Sequence, residues 1–364
     1  MGIKTLSKFL KDTFPNVFQN IHISEYRYKK IAIDVTLYLC HFKVNLGEEK
    51  WLLGFLNFVK TLREYDIHCV FIFDTGFPPE KQEERKQRML QRAKTEEKVF
   101  NLEQALQKYD DSGEIDQILI DFQNKRKITP IRILNKGTNN AKLNINMIKH
   151  LVKKMRRQLF NISKNDYILL KQLFDIINVP YYNSPLEAET MCSDLCIQGK
   201  ADAVLTEDTD VLAYGTPVFL SNYKDGYCTR INTEKLYAEM GLTSDEFLDF
   251  CIMCGTDYNK NIYKIGPAKS YKYILQYKNI DNIKSNINLD ISILNHNRVR
   301  QIFREYEKYQ GKISYCGIPD FEKLNIFLFK KNIKIDIETI KDSFVSKIEL
   351  SDENDITEND DLEN

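Results

Sequence analysis

VPYYNSPLEAETMCSDLCIQGKADAVLTEDTDVLAYG, residues Val179 to Gly215, places acidic residues at the ends of two successive strand-to-loop transitions. Val179–Tyr182 reads as a short strand. Ser184-Pro185-Leu186-Glu187 then predicts a helix start, with Ser184 as N-cap and Pro185 at the first helical position. Ala203–Thr206 reads as a second buried strand, with Glu207-Asp208-Thr209-Asp210 at its carboxyl end. In open α/β sheets, loops at the carboxyl ends of strands form the ligand crevice. Glu187, Glu189, Asp208 and Asp210 gathered there would repel one another unless cations sit between them. Hard oxygen ligands without His or Cys suit Mg²⁺ or Mn²⁺. A plainer reading uses the same residues: Ser184-x-x-Glu187 is also a capping box, and Asp208 an ordinary N-cap.

The rest of the chain weighs against the plainer reading. Ile31-Ala32-Ile33 reads as a strand ending at Asp34, followed by an apolar helix over Val35–Phe42. Cys69–Phe73 (CVFIF) is an uninterrupted apolar run, typical of a parallel strand buried on both faces, and it ends at Asp74. One such aspartate is ordinarily a cap or turn residue. Four strand ends delivering carboxylate to one edge are not explained that way.

Gly2–Thr13 and Glu49–Tyr65 carry apolar residues at helical spacing. Glu80–Lys98 is dense in Arg and Lys and reads as a helix laced with Glu–Lys pairs. Lys149–Lys164 is a second basic helix, with Lys153, Lys154, Arg156 and Arg157 close together. Between them Ala105–Ala141 is polar and weakly patterned, with turns expected at Asp110–Gly113 and Asn135–Asn140, and reads as an insertion. Two basic helices beside an acidic cluster form a cationic frame suited to phosphate. Thr243–Asp257 reads as a helix, and Gly266-Pro267-Ala268-Lys269 opens another through Tyr277. The amides at that second helix start suit a phosphate. Asn279–Lys347 is mixed helical material, amphipathic over Val299–Tyr309, with no role assigned.

Net charge is zero over 364 residues, yet the last fourteen, SDENDITENDDLEN, hold seven acidic groups and no Lys or Arg. The body is therefore mildly basic, and the tail reads as disordered and solvated. The eight cysteines are scattered, and the five histidines form no ligand spacing. Cys251-x-x-Cys254 has no second pair, which argues against a zinc site. Neither a signal peptide nor a twenty-residue apolar span is visible, so an intracellular, reducing compartment is expected, nuclear or at a cytoplasmic replication site.

The residues from Met1 to about Lys284 resemble the flap endonuclease/XPG family of structure-specific 5′ nucleases. The resemblance rests on Met1-Gly2-Ile3, Ile31-Ala32-Ile33-Asp34, Phe73-Asp74 with Pro78-Pro79, and Val179-Pro180-Tyr181 with Pro185-x-Glu187-Ala188-Glu189. Thr206-Glu207-Asp208-x-Asp210, Gly255-Thr256-Asp257-Tyr258 and Ile265-Gly266-Pro267 complete it. It implies an α/β fold: a mostly parallel, doubly wound, PIN-like nuclease sheet with a helical arch insertion and a helix–two-turn–helix in a helical carboxyl-terminal part. It further implies seven metal-site carboxylates, Asp34, Asp74, Glu187, Glu189, Asp208, Asp210 and Asp257, holding two Mg²⁺ ions (or Mn²⁺) about 4 Å apart. Lys81 and Arg88 would face the scissile phosphate, with Arg85 and Arg92 as the competing register. Gly2 would approach the substrate. Lys153, Lys154, Arg156 and Arg157 would form the far side of the arch, and Lys264, Gly266 and Lys269 the duplex contact, aided by K⁺.

Several positions depart from the family pattern. Cys40 stands where a stacking group is usual, Lys264 replaces the first Gly of the hairpin, the segment after Phe42 is short, and the insertion is long. No clamp-binding box is found. The expected protein is a monomeric Mg²⁺-dependent 5′ nuclease acting on branched or gapped DNA, without a membrane partner. The expected divisions are 1–100 and 165–284 for the nuclease, 101–164 for the arch, 285–347 helical and 348–364 the acidic tail. Two rivals are a catalytically silent DNA-binding scaffold on the same fold, and a sugar- or phosphate-transferring enzyme using Asp208-Thr209-Asp210 as its metal motif.

Overall fold

The computed structural model describes residues 2–128, 131–132 and 141–344. The acidic tail and the turn expected at Asn135–Asn140 lie outside these residues. From the amino terminus, α1 (Leu6–Thr13) and β1 (Gln19–His22) lead to β2 (Lys30–Asp34), α2 (Val35–Leu46), α3 (Trp51–Glu64) and β3 (His68–Phe73). A short 3₁₀ turn, Pro79–Lys81, opens the insertion: α4 (Gln82–Ser112), α5 (Gln117–Lys125), β4 (Ile131–Arg132), β5 (Ala141–Lys142) and α6 (Ile145–Arg157). The chain then returns through α7 (Lys164–Ile176), β6 (Tyr181–Asn183), α8 (Ala188–Ile197), β7 (Ala203–Leu205), α9 (Asp210–Tyr214), β8 (Val218–Lys224) and β9 (Tyr227–Asn232). Helices α10 (Thr233–Met240), α11 (Ser244–Cys254), α12 (Pro267–Tyr277), α13 (Ile280–Asn286), α14 (His296–Arg304), α15 (Phe321–Lys330) and α16 (Ile337–Phe344) finish it. No described helix is long and apolar enough to cross a membrane.

The main sheet runs β1-β9-β8-β7-β2-β3-β6. Strands β8, β7, β2, β3 and β6 are parallel, and β9 and β1 are antiparallel to them at one edge. Side chains alternate across a strand, so each central strand feeds two cores. Ala32, Val70, Ile72 and Val204 pack with α1, α8 and the helices from α9 to α14. Ile31, Ile33, Cys69, Phe71, Phe73 and Leu205 pack with α2, α3, α7, α15 and α16. A third core, with Val99, Leu102, Phe122, Ile148 and Val152, joins α4, α5 and α6 into an arch of its own.

Parallel register aligns the strand ends. Asp34 pairs opposite Ile72, Ile33 opposite Leu205, and Phe73 opposite Asn183. The chain therefore leaves β2, β3, β6 and β7 at one edge. From β2 the sheet grows one way through β3 and β6 and the other through β7 and β8, the arrangement that opens a crevice at strand carboxyl ends.

Four of the boundaries that differ from expectation bear on the site and the arch. The helix expected from Ser184 starts at Ala188: the Ser184 hydroxyl donates to the Glu187 carbonyl (2.7 Å), and Glu187 is itself the N-cap residue. The strand before it is Tyr181–Asn183 rather than Val179–Tyr182. The weakly patterned stretch after Ala105 begins as helix, because α4 runs to Ser112 before Gly113 closes it at φ 73°. The second basic helix spans Ile145–Arg157, capped by Asn144, instead of Lys149–Lys164.

Candidate active site

Asp34, the last residue of β2, caps α2: its Oδ1 accepts from the Thr36 and Leu37 amides at 2.8 and 3.3 Å. Asp74, one residue beyond β3, accepts from the Ala188 amide at 2.7 Å and so caps α8 from a neighbouring strand. That contact leaves the Glu187 side chain free to turn away from its own helix. Glu187 Oε2 accepts from the Tyr258 hydroxyl at 2.7 Å, and Oε1 from Lys81 Nζ. Glu189, two residues on, is buried in the first turn of α8 and lies 3.5 Å from the same ammonium. Asp208 accepts from the Asp210 amide at 3.0 Å. Both carboxylate oxygens of buried Asp210 lack a hydrogen-bond partner among the described residues. Asp257 follows α11 and meets Lys81 at 3.2 Å and Arg88 at 2.9 Å.

These seven groups form one electrostatic unit. Burial, then Asp74 and Asp208, holds the Asp34 carboxyl well above the usual range. Burial, then Glu187, does the same for Glu189, and burial followed by Asp208 and Asp257 for Asp210. Glu187 and Asp208 are also pushed up, chiefly by burial. Burial works against the Lys81 charge, but Glu189, Glu187 and Asp257 outweigh it and hold the ammonium protonated.

The amino terminus closes one side. The Ile3 amide donates to Thr209 Oγ1 and the Lys4 amide to the Gly255 carbonyl, both at 3.0 Å. Gly2 sits at φ 81°, and a Cβ there would collide with Asp208 Oδ1 and lie 2.8 Å from Asp210 Oδ1 and Thr209 Oγ1. Only glycine permits so close a backbone approach.

Of the four arch cations at helical spacing, Lys81 and Arg88 reach the carboxylates. Arg85 instead stacks over Phe77, with 4.0 Å to the ring centroid. Arg92 donates to the carbonyls of Leu159 and Phe160 and to Asn161, tying α4 to the end of α6.

Whether the carboxylates suit divalent cations is a question of donor chemistry. All are hard oxygens, and the two unpartnered oxygens of Asp210 need a cation or donor to offset their burial. Among the described residues, no group of three or more His, Cys, Asp or Glu is drawn together tightly enough to hold an ion as it stands. Lys81 lies between Glu187, Glu189 and Asp257 and engages all three.

Comparison with known proteins places the chain. Family profiles described as the XPG N-terminal domain and the XPG I-region match residues 1–95 and 178–257. Probable RAD2-like endonuclease 369L of Invertebrate iridescent virus 6 is 33% identical, covering 94% of this chain and 92% of the relative. Probable RAD2-like endonuclease 076L of Invertebrate iridescent virus 3 is 35% identical, covering 90% and 93%.

The chain belongs to the XPG/flap-endonuclease family. Among solved structures, the catalytic core of Rad2 in complex with DNA substrate matches with a TM-score of 0.64 at 16% identity, covering 94% of this chain and 99% of that one. Flap endonuclease-1 from Methanococcus jannaschii matches at 0.59 and 19% identity, covering 90% and 94%. At such identities the likeness speaks for the fold, which is the mostly parallel sheet with arch and helical carboxyl-terminal part read from the sequence.

The other family positions fall outside the carboxylate cluster. Lys153, Lys154, Arg156 and Arg157 lie exposed on α6, with Arg156 paired to Glu103 of α4. The hairpin between α11 and α12 is braced from within: Thr256 Oγ1 donates to Asn259 Oδ1 (2.7 Å), and Asn261 Nδ2 to the Ile265 carbonyl (3.1 Å). Lys264 occupies φ 62°, left-handed backbone that favours glycine. No atom lies within 4 Å of a Cβ built on Gly266, so the start of α12 is open to a ligand. Lys269 is exposed in its first turn.

Three contributors had no role in the sequence reading: Tyr258, which orients Glu187; Thr209, which anchors the amino terminus; and Glu84, which pairs with Arg88. Tyr258 stands in the Gly255-Thr256-Asp257-Tyr258 motif, which was the signal that could have found it.

Proposed function

We propose that this protein is a Mg²⁺-dependent, structure-specific 5′ nuclease that hydrolyses DNA phosphodiesters at flaps, gaps or 5′ ends, in replication, repair or recombination. The observation that carries the reading is the convergence of Asp34, Asp74, Glu187, Glu189, Asp208, Asp210 and Asp257 at one sheet edge, with Lys81 and Arg88 pointing into them. The names of its relatives, RAD2-like endonucleases and flap endonuclease 1, support it.

In this reading Asp34, Asp74, Glu187, Glu189, Asp208, Asp210 and Asp257 would hold two divalent cations, which would supply Lewis acidity for phosphodiester hydrolysis. Lys81 and Arg88 exchange carboxylate partners for the phosphate oxygens and orient the phosphodiester. Tyr258 holds Glu187 in one direction, and Gly2 lets the amino terminus lie directly against Asp208 and Asp210. Residues 1–100 and 165–284 would supply the nuclease unit and 101–164 the bulk of the arch, whose first helix already begins at Gln82. The Gly266 and Ala268 amides, with the Lys264 and Lys269 side chains, grip the duplex backbone. A K⁺ ion at this hairpin would be held by its oxygen donors and would help to neutralise the duplex backbone.

The silent-scaffold alternative gives no use to so many buried, mutually repelling carboxylates, of which Lys81 offsets only Glu187, Glu189 and Asp257. A 5′-labelled set of flap, nicked, gapped, blunt and four-way DNAs in Mg²⁺ tests the choice. Wild type is expected to cut by structure, and Asp208→Asn to bind but cut at least about a hundredfold more slowly. Wild-type protein that binds these DNAs and cuts none in Mg²⁺ or Mn²⁺ would sink the reading.

A further inference from the structure

Between Asp74 and Lys81 the chain displays an aromatic ring that the site described above does not use. Phe77 is 37% exposed and Leu186, just before Glu187, 44% exposed. Backbone ties the segment before the ring to Leu186: the Thr75 and Gly76 amides donate to the Leu186 carbonyl at 3.0 and 3.2 Å. A Cβ on Gly76 would lie 3.5 Å from the Leu186 side chain. Pro78 and Pro79 follow, fixing the backbone beyond the ring. Phe77 is thus presented on a rigid turn.

Arg85 covers one side of this ring, its guanidinium 4.0 Å from the centroid. Among the described residues it makes no ion pair, and the nearby Glu84 is engaged by Arg88. Its place on the arch helix lies four residues after Lys81 and three before Arg88, so the three share one stripe. An exposed aromatic, an aliphatic side chain and a guanidinium outside any ion pair among the described residues therefore stand close along the chain to Asp74, Glu187 and Arg88.

A single strand entering that cluster must leave its duplex, and the nucleobase beside the reacting phosphate then loses its stacking partner. Aromatic faces and Arg restore that stacking without reading sequence. We propose that Phe77, Arg85 and Leu186 form a stacking platform for the unpaired nucleobase next to the phosphate engaged by Lys81 and Arg88. The inference rests on the nuclease reading, and it makes Phe77 a substrate-positioning residue. A docking site for another protein is disfavoured by the flanking phosphate-binding cations.

The test uses the full-length protein and two 5′-flap DNAs, one intact and one abasic at the first unpaired nucleotide. Dissociation constants come from fluorescence anisotropy in EDTA, and kcat and KM from cleavage in Mg²⁺. Wild type is expected to bind the abasic flap about tenfold more weakly, the scale of one lost base–aromatic stack. Phe77→Ala should bind the intact flap about tenfold more weakly and no longer distinguish it from the abasic one, with KM raised and kcat nearly unchanged. Phe77→Trp should restore the discrimination, and Phe77→Leu, which keeps apolar bulk without a π-face, should not. Equal discrimination by wild type and Phe77→Ala, both folded by circular dichroism, overturns the platform alone. Wild type that neither binds nor cuts the flap removes the nuclease reading, and the platform with it.

Discussion

Replacing Lys81 with Met keeps the aliphatic stem and removes the charge that the three carboxylates surround. The ammonium lies 3.2 Å from Asp257, 3.5 Å from Glu189 and closer still to Glu187, on a side chain only 9% exposed. At an effective dielectric near 20, each such contact is worth about 4–5 kcal/mol of attraction. Desolvation of the ammonium offsets much of that sum. Removing one partner of a buried pair costs about 3–5 kcal/mol, because the charges left behind have no compensation. With about 2.1 cal/mol/K of unfolding entropy per residue, a chain of 364 residues loses about 4–7 °C of Tm.

The assay is thermal unfolding in EDTA, with Arg88→Met as control. The Arg88 side chain is 47% exposed, so its contact with Asp257 is worth at most about 1 kcal/mol. The Lys81→Met deficit should shrink in two ways. Mg²⁺ binds the folded state and should raise the variant's Tm more than the wild type's, because divalent charge replaces the missing ammonium. Acid should act in the same direction. The buried Glu187 and Glu189 carboxyls already stand above their ordinary range, and losing Lys81 raises them further. Groups raised in the folded state contribute stability that is present below the unfolded pKa and lost as pH rises through the folded value. The deficit is therefore larger near pH 8 than near pH 5. Equal losses in both variants, or a deficit indifferent to Mg²⁺ and pH, would refute this account of the cluster.

Gly2→Ala forces a Cβ against Asp208 and a residue at φ 81°; we expect cleavage of a labelled flap to fall at least tenfold, while left-handed strain lowers stability by only about 1–2 kcal/mol in urea titration. Tyr258→Phe deletes the donor 2.7 Å from Glu187; kcat should drop by the equivalent of about 1–3 kcal/mol, with KM unchanged. Lys264→Gly relieves φ 62° at a non-glycine residue and should stabilise by about 1 kcal/mol. The same substitution should weaken duplex binding and reduce the salt slope of the affinity by about one, measured by anisotropy across a salt series.

Much of the fold follows from short-range pattern. The apolar runs at Ile31–Ile33, Cys69–Phe73 and Ala203–Leu205 are strands because they are buried on both faces. Parallel pairing then obliges their following carboxylates to share an edge. Residue chemistry alone therefore placed Asp34, Asp74, Glu187, Glu189, Asp208 and Asp210 together, and the family resemblance added Asp257. Boundaries were less legible where capping is supplied from a distance. Ser184 has the composition of an N-cap, yet the carboxylate of Asp74, more than a hundred residues earlier, accepts from the Ala188 amide.

Tertiary structure alone decided which arch cations meet the carboxylates. Lys81, Arg85, Arg88 and Arg92 are equivalent as a helical pattern, and only the 3₁₀ turn at Pro79–Lys81 and the approach of α11 separate their partners. The same holds for Tyr258 on Glu187 and Thr209 on the Ile3 amide, which join residues 71 and 206 positions apart. Periodicity reports which face of an element is buried, because each residue's exposure repeats with the local geometry. It carries no information about which distant side chain that face will meet.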